Sequence, residues 1–123
     1  MDKNAAIHTT LEPFDSKLFA HGSHSAYPPD RSRPLFPTVV EATYSDASLD
    51  DTVARALRHY SDAVKAAADA DGQNVSHAAV YPNYALSGTP LKDLYGANVQ
   101  RLRAIRRAVD PENVMGLTGG FKL

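Results

Sequence analysis

Two long amphipathic stripes share a single clear strand, and this imbalance limits what the chain can fold into more than any other feature of its sequence. Val39-Val40-Glu41-Ala42-Thr43-Tyr44 is rich in β-branched and aromatic residues. It alternates Val40/Ala42/Tyr44 against Val39/Glu41/Thr43, the period of a half-buried strand. Leu49, Val53, Leu57, Tyr60, Val64 and Ala67 then recur at steps of four and three, which draws one apolar stripe along a helix. Ser48 is placed to cap that helix, Asp50 and Asp51 sit at the positive end of its dipole, and Gly72 follows as a stop. A second stripe, Leu91, Leu94, Tyr95, Asn98, Leu102, Ile105 and Val109, opens behind Thr89-Pro90, a capping hydroxyl and a proline at the first helical position. It closes at Asp110-Pro111, because the residue before a proline avoids helical geometry.

The remaining sequence offers these helices little to cover. Ile7 to Phe14 is short and mixed, one extended segment ended at Pro13. His77 to Tyr81 is a second short extended piece, but it runs into Pro82, whose missing N–H suits a central strand poorly. Residues 20 to 38 hold four of the eight prolines, together with Gly22, Ser23, Ser25 and Ser32, and read as a long loop. Loops beyond about 12 to 15 residues are uncommon inside a compact domain unless they are functional or packed on something larger. A strand or two cannot bury a hydrophobic face unaided, so the pattern is that of part of an α+β domain. Its apolar stripes should then drive self-association or partial unfolding when nothing covers them.

Composition narrows the function classes. At 43% hydrophobic and 22% charged, the 123 residues have the make-up of one folded domain. A net charge of -1 provides no field for nucleic acid or an anionic membrane, so neither is expected as a partner. Cysteine is absent, which removes disulfides, thiol nucleophiles and thiolate metal sites. The polar start Met1-Asp2-Lys3-Asn4 and the lack of a long apolar run imply neither a signal core nor a membrane span, and leave the compartment open.

Generic motifs carry little chemistry. His21-x-x-His24 offers two imidazoles in a Pro/Ser loop, fewer than the three or four ligands of a usual metal site, so no metal is expected. Gly116-Leu-Thr-Gly119-Gly120 follows no strand and lacks the Lys-Ser/Thr pair of a phosphate loop, and reads as a turned tail. Arg101, Arg103, Arg106 and Arg107 gather towards the negative end of the second helix, as a solvated face or a domain contact.

The specific signal is a series: Tyr81-Pro82-Asn83-Tyr84, Tyr95-Gly96-Ala97-Asn98, Arg101-Leu102, and Asp110-Pro111-Glu112-Asn113-Val114. In order and spacing it resembles the C-terminal signature of the berberine bridge enzyme family, Tyr-x-Asn-Tyr, Tyr-Gly-x-Asn, Arg-Leu and Asp-Pro-x-Asn-Val/Phe. Upstream, Ser25-Ala26-Tyr27-Pro28, Asp30-Arg31-Ser32 and Leu35-Phe36-Pro37 look like the loop that enters the substrate-domain sheet of that family. The resemblance implies an FAD-linked oxidoreductase acting on a small organic substrate, with a place in secondary metabolism. Residues 1–44 would supply a loop-rich segment and strand to an antiparallel-sheet substrate domain. Residues 45–123 would supply a helix, the Tyr-x-Asn-Tyr segment, and the C-terminal helix and tail. By the same resemblance Asn83 is the cofactor-binding residue beside the flavin ring and Tyr84 is the catalytic base, while Glu41 on the strand is a carboxylate alternative.

A phenol with a pKa near ~10 works as a base only where neighbours favour phenolate, so Tyr84 is not sufficient alone. The family's flavin anchors and pyrophosphate loop match nothing in this sequence. FAD is therefore expected only together with a flavin-binding domain or partner chain. The alternative is a non-catalytic remnant or interaction module without flavin.

Overall fold

The computed structural model describes residues 5–15, 17–21, 25–33 and 36–123. The polar start Met1-Asp2-Lys3-Asn4 lies outside them, as do Gly22, Ser23, His24, Pro34 and Leu35 of the expected loop. The chain is α+β and falls into two compact units, one of Met1–Ala20 with Ser32–His77, the other of His21–Arg31 with Ala78–Leu123.

In the first unit, strand β1 (Ala6–Leu11) pairs antiparallel with β2 (Thr38–Thr43), in a register running from Ala6 opposite Thr43 to Leu11 opposite Thr38. Glu12 N donates to Pro37 O at 2.9 Å and carries the pairing one step further. The extended segment expected from Ile7 to Phe14 is thus a true strand. It ends before Pro13, which has no N–H to add to a ladder. β2 begins and ends one residue earlier than the alternation predicts. Tyr44 leaves the strand, and its hydroxyl donates to Asp50 Oδ1 at 2.9 Å.

Helix α1 (Asp50–Ala70) packs on β2 and buries Val53 and Leu57. Its start differs from expectation. Asp46 caps a 3-10 turn, Ala47–Leu49, that leads into the helix, its carboxylate accepting the Ser48 N–H at 2.9 Å, and the cap position of α1 itself is Leu49, with no side-chain cap bond. Ser48 thus lies inside the 3-10 turn and not at the entry to the helix, where a capping hydroxyl would have to stand. Gly72 ends the helix as expected, with φ +82°. Asp69 Oδ1 then accepts the N–H groups of Val75 (2.5 Å) and Ser76 (3.0 Å). The Arg33 guanidinium holds the carbonyls of Gln73 and Asn74.

The second unit is built from short pieces: a 3-10 turn at Pro82–Tyr84, helix α2 (Leu91–Tyr95), a 3-10 turn at Gly96–Asn98, helix α3 (Val99–Val109) and a last 3-10 turn at Val114–Leu117. Leu94 is fully buried at its centre. Two expectations are corrected here. No strand forms at His77–Tyr81; the segment is tied instead by one bond, Val80 N to Asp93 O at 2.8 Å, because Pro82 turns the backbone at once. The second helix is not continuous over 91–109. It breaks at Gly96, where φ is 52° and ψ is -132°, a conformation open only to glycine. Thr89 bonds back to Leu86 O at 2.7 Å and does not cap, and Pro90 occupies the cap position itself.

Candidate functional site

Tyr81, Asn83 and Tyr84 are brought together by one turn of 3-10 helix. Pro82 starts the turn with its φ already fixed, and Tyr84 N donates to Tyr81 O at 3.0 Å. The rings of Tyr81 and Tyr84 meet edge to face, with centroids 5.1 Å apart and planes at 78°. The Asn83 amide donates to the Tyr81 hydroxyl at 2.9 Å. A third ring joins from the loop, for Tyr27 meets Tyr81 edge to face at 5.5 Å and 67°. Its hydroxyl donates to Ala79 O at 3.3 Å. Burial raises the Tyr27 phenol above its ordinary 10.0, with the neighbouring Tyr81 adding to the effect, so Tyr27 stays a neutral donor across the physiological range.

The loop bearing Tyr27 is held by the Tyr95-Gly96-Ala97-Asn98 segment. One Asn98 amide nitrogen donates to both Ser25 O and Ala26 O, each at 3.1 Å. Gly96 lies beside Pro28, where a Cβ would stand at an ordinary contact distance of 3.5 Å from Pro28 Cγ. The Asp110-Pro111-Glu112-Asn113-Val114 segment has a comparable internal task. Asp110 Oδ1 accepts from Val114 N at 2.7 Å and Oδ2 from Met115 N at 3.0 Å, around an Asn113 held at φ 56°.

The polar residues of the signature therefore divide. Asn98 and Asp110 are committed to backbone groups, whereas Asn83 is exposed and Tyr84 keeps 46% of its surface in solvent. That division fits the sequence pattern. Residues 80–118 match the family model described as berberine and berberine like. Over this segment the chain is similar to the berberine bridge enzyme family. The family is one of FAD-linked oxidoreductases. No curated protein and no solved structure gives a significant match to the chain.

The berberine-like turn can be tested against the group that its family uses. Two half-exposed phenol rings and a carboxamide fit one edge of a flat, hydrogen-bonding ring system. The cluster of Tyr27, Tyr81, Asn83 and Tyr84 holds no cation for phosphates, so its chemistry matches the ring end of FAD and not the pyrophosphate.

Other candidates stand elsewhere. Glu41 lies exposed on β2, in the first unit, and belongs to no such cluster. His21 is exposed, His24 lies outside the described residues, and no group of metal-capable side chains occurs among the described residues. Arg101, Arg103 and Arg107 face solvent, while the Arg106 Nε is buried with no acceptor among the described residues. No helix among the described residues is long and apolar enough to cross a membrane. The sequence pattern gives Tyr27 no task of its own, and no local signal joins it to Tyr81, 54 positions on.

Proposed function

We propose that this chain is the C-terminal portion of an FAD-dependent oxidoreductase acting on a small organic substrate in secondary metabolism, and that it works together with a flavin-binding domain or chain. Residues 1–44 supply a loop-rich segment and strand to the substrate domain. Residues 45–123 supply α1, the Tyr-x-Asn-Tyr turn, and the C-terminal helix and tail. The observation that carries this reading is the division among signature residues, in which Asn83 and Tyr84 face outward from a turn whose framework is held by other polar groups.

Bound flavin supplies the two-electron acceptor. Asn83 lines the ring with its carboxamide, and Tyr84 takes the substrate proton on its phenol oxygen. A phenol does this only when a donor or cation favours its charged form, and the partner surface must provide that group.

In the complex with a flavin-binding partner, Tyr84→Phe keeps the ring and removes the proton acceptor. Flavin reduction should fall about 10² to 10⁴-fold with flavin binding nearly intact. A loss below about tenfold, the scale of one neutral hydrogen bond, would transfer the role to a carboxylate such as Glu41. Asn83→Ala should weaken flavin binding as well as rate. The exposed run Val109, Val114, Met115 and Leu117 favours a second reading, an interaction module without flavin. A complex that forms with its partner but holds no flavin would select it.

A further inference from the structure

Tyr27 stands outside the matched segment, in a loop the signature does not include, and yet its ring touches the inner face of the proposed site. Its backbone is fixed on both sides. Before it, Ser25 O and Ala26 O are held by the Asn98 amide; after it, Pro28 rests against Gly96. The Ser25 hydroxyl closes the segment by donating to Tyr27 O at 2.5 Å. Tyr27 is thus anchored from the helical side of the unit and cannot slide along it.

From there the contacts run outward as rings. Tyr27 sets its edge against Tyr81, and Tyr81 does the same with Tyr84, at 67° and 78° between planes. Edge-to-face pairs at such distances prefer that geometry, so each ring limits the plane of the next. Tyr81 is pinned between them by the Val80 N to Asp93 O bond behind it and by the Asn83 amide on its hydroxyl. The outermost ring, Tyr84, is half-exposed, and an exposed tyrosine without such a neighbour would sample several χ1 positions.

We propose that Tyr27 is a positioning residue that holds the Tyr84 phenol in one orientation through Tyr81. This rests on the reading of Tyr84 as the base. The ring of Tyr27 does the holding and its hydroxyl contributes little, because the bond to Ala79 O is long at 3.3 Å. Two signature segments that never touch in sequence, Tyr-x-Asn-Tyr and Tyr-Gly-x-Asn, are thereby joined by a residue belonging to neither.

The full chain, labelled at its tyrosine rings, tests this by nuclear magnetic resonance. Tyr27→Leu should move the Tyr84 ring signals towards those of a free tyrosine, and Tyr27→Phe should leave them in place. Unchanged Tyr84 signals in Tyr27→Leu, or equal shifts in both variants, would overturn the proposal. Should Tyr27→Leu fail to fold, Asn98→Ser releases the loop without removing a ring, and should shift Tyr84 in the same direction.

In the complex with a flavin-binding partner, Tyr27→Leu should slow flavin reduction about tenfold, with substrate affinity within about twofold and with recovery in Tyr27→Phe. A role in packing alone would lower both quantities together. If Tyr84→Phe keeps its rate in that complex, the assignment of the base fails. The ring signals still decide whether Tyr27 orients Tyr84.

Discussion

The two units of the chain balance apolar burial and polar ties differently. The first relies on apolar burial and has little of it: Val53 and Leu57 are its buried side chains, each 8% exposed, among the described residues. Every residue of β1 is exposed, and Tyr60 and Val64 continue the α1 stripe into solvent. The second unit has an even smaller core, Leu94 alone among the described residues, and leans further on directed polar ties of the kind that Asp69 and Arg33 make in the first. Asn98, Asp110 and Lys122 each satisfy more than one backbone group. Burial scales with covered area, and two strands cover little, whereas a side chain bonded to two backbone groups fixes a turn in a small volume. A unit knitted in this way can hold an exposed turn such as Tyr81–Tyr84 in place without a large core.

The sharpest way to break this comparison is at Leu94. Leu94→Ala should cost about 2 to 5 kcal/mol in urea denaturation, since a fully buried side chain leaves a cavity. A loss below about 1 kcal/mol would mean that the polar ties hold the second unit without its core. Next in size is Gly96→Ala, which forces an L residue into φ 52°, ψ -132° and should cost about 1 to 3 kcal/mol. The strained turn should also shift the amide signals of residues 25–27, which the neighbouring Asn98 holds.

Asp110→Ala removes two bonds to backbone N–H groups and should cost about 1 to 2 kcal/mol. Hydrogen exchange should quicken at Val114 and Met115 and stay unchanged across α1. The smallest stability effect belongs to the first unit. Val64→Ser, on the exposed part of the α1 stripe, should change stability by less than about 0.5 kcal/mol. It should nevertheless weaken the concentration-dependent association that the uncovered stripe drives in sedimentation velocity. A wild-type chain that stays monomeric at every concentration would show that this stripe needs no cover.

Periodicity and turn chemistry made much of this legible. The alternation at Val39–Tyr44, the step of α1 from Val53 to Leu57 and the stop at Gly72 are local patterns, and each produced its element within a residue or two. The failures share one cause. A stripe from Leu91 to Val109 fits one straight helix, and nothing in the stripe says that Gly96 will take the positive φ that breaks it. Ser48 is a reasonable cap until Asp46 opens a 3-10 turn that carries Ser48 inside it, and Ala6–Leu11 is a strand only because β2 supplies its ladder.

The sequence by itself determined the strand at β2, the stripe and stop of α1 and the berberine-like signature of residues 80–118, because each depends on residues within a few positions of one another. Tertiary structure decided which signature residues are committed to the framework and which are left exposed. Asn98 and Asn83 are the same amide in the same family pattern. One is used up by carbonyls more than 70 positions away and the other meets solvent, and only the path of the chain through space distinguishes them.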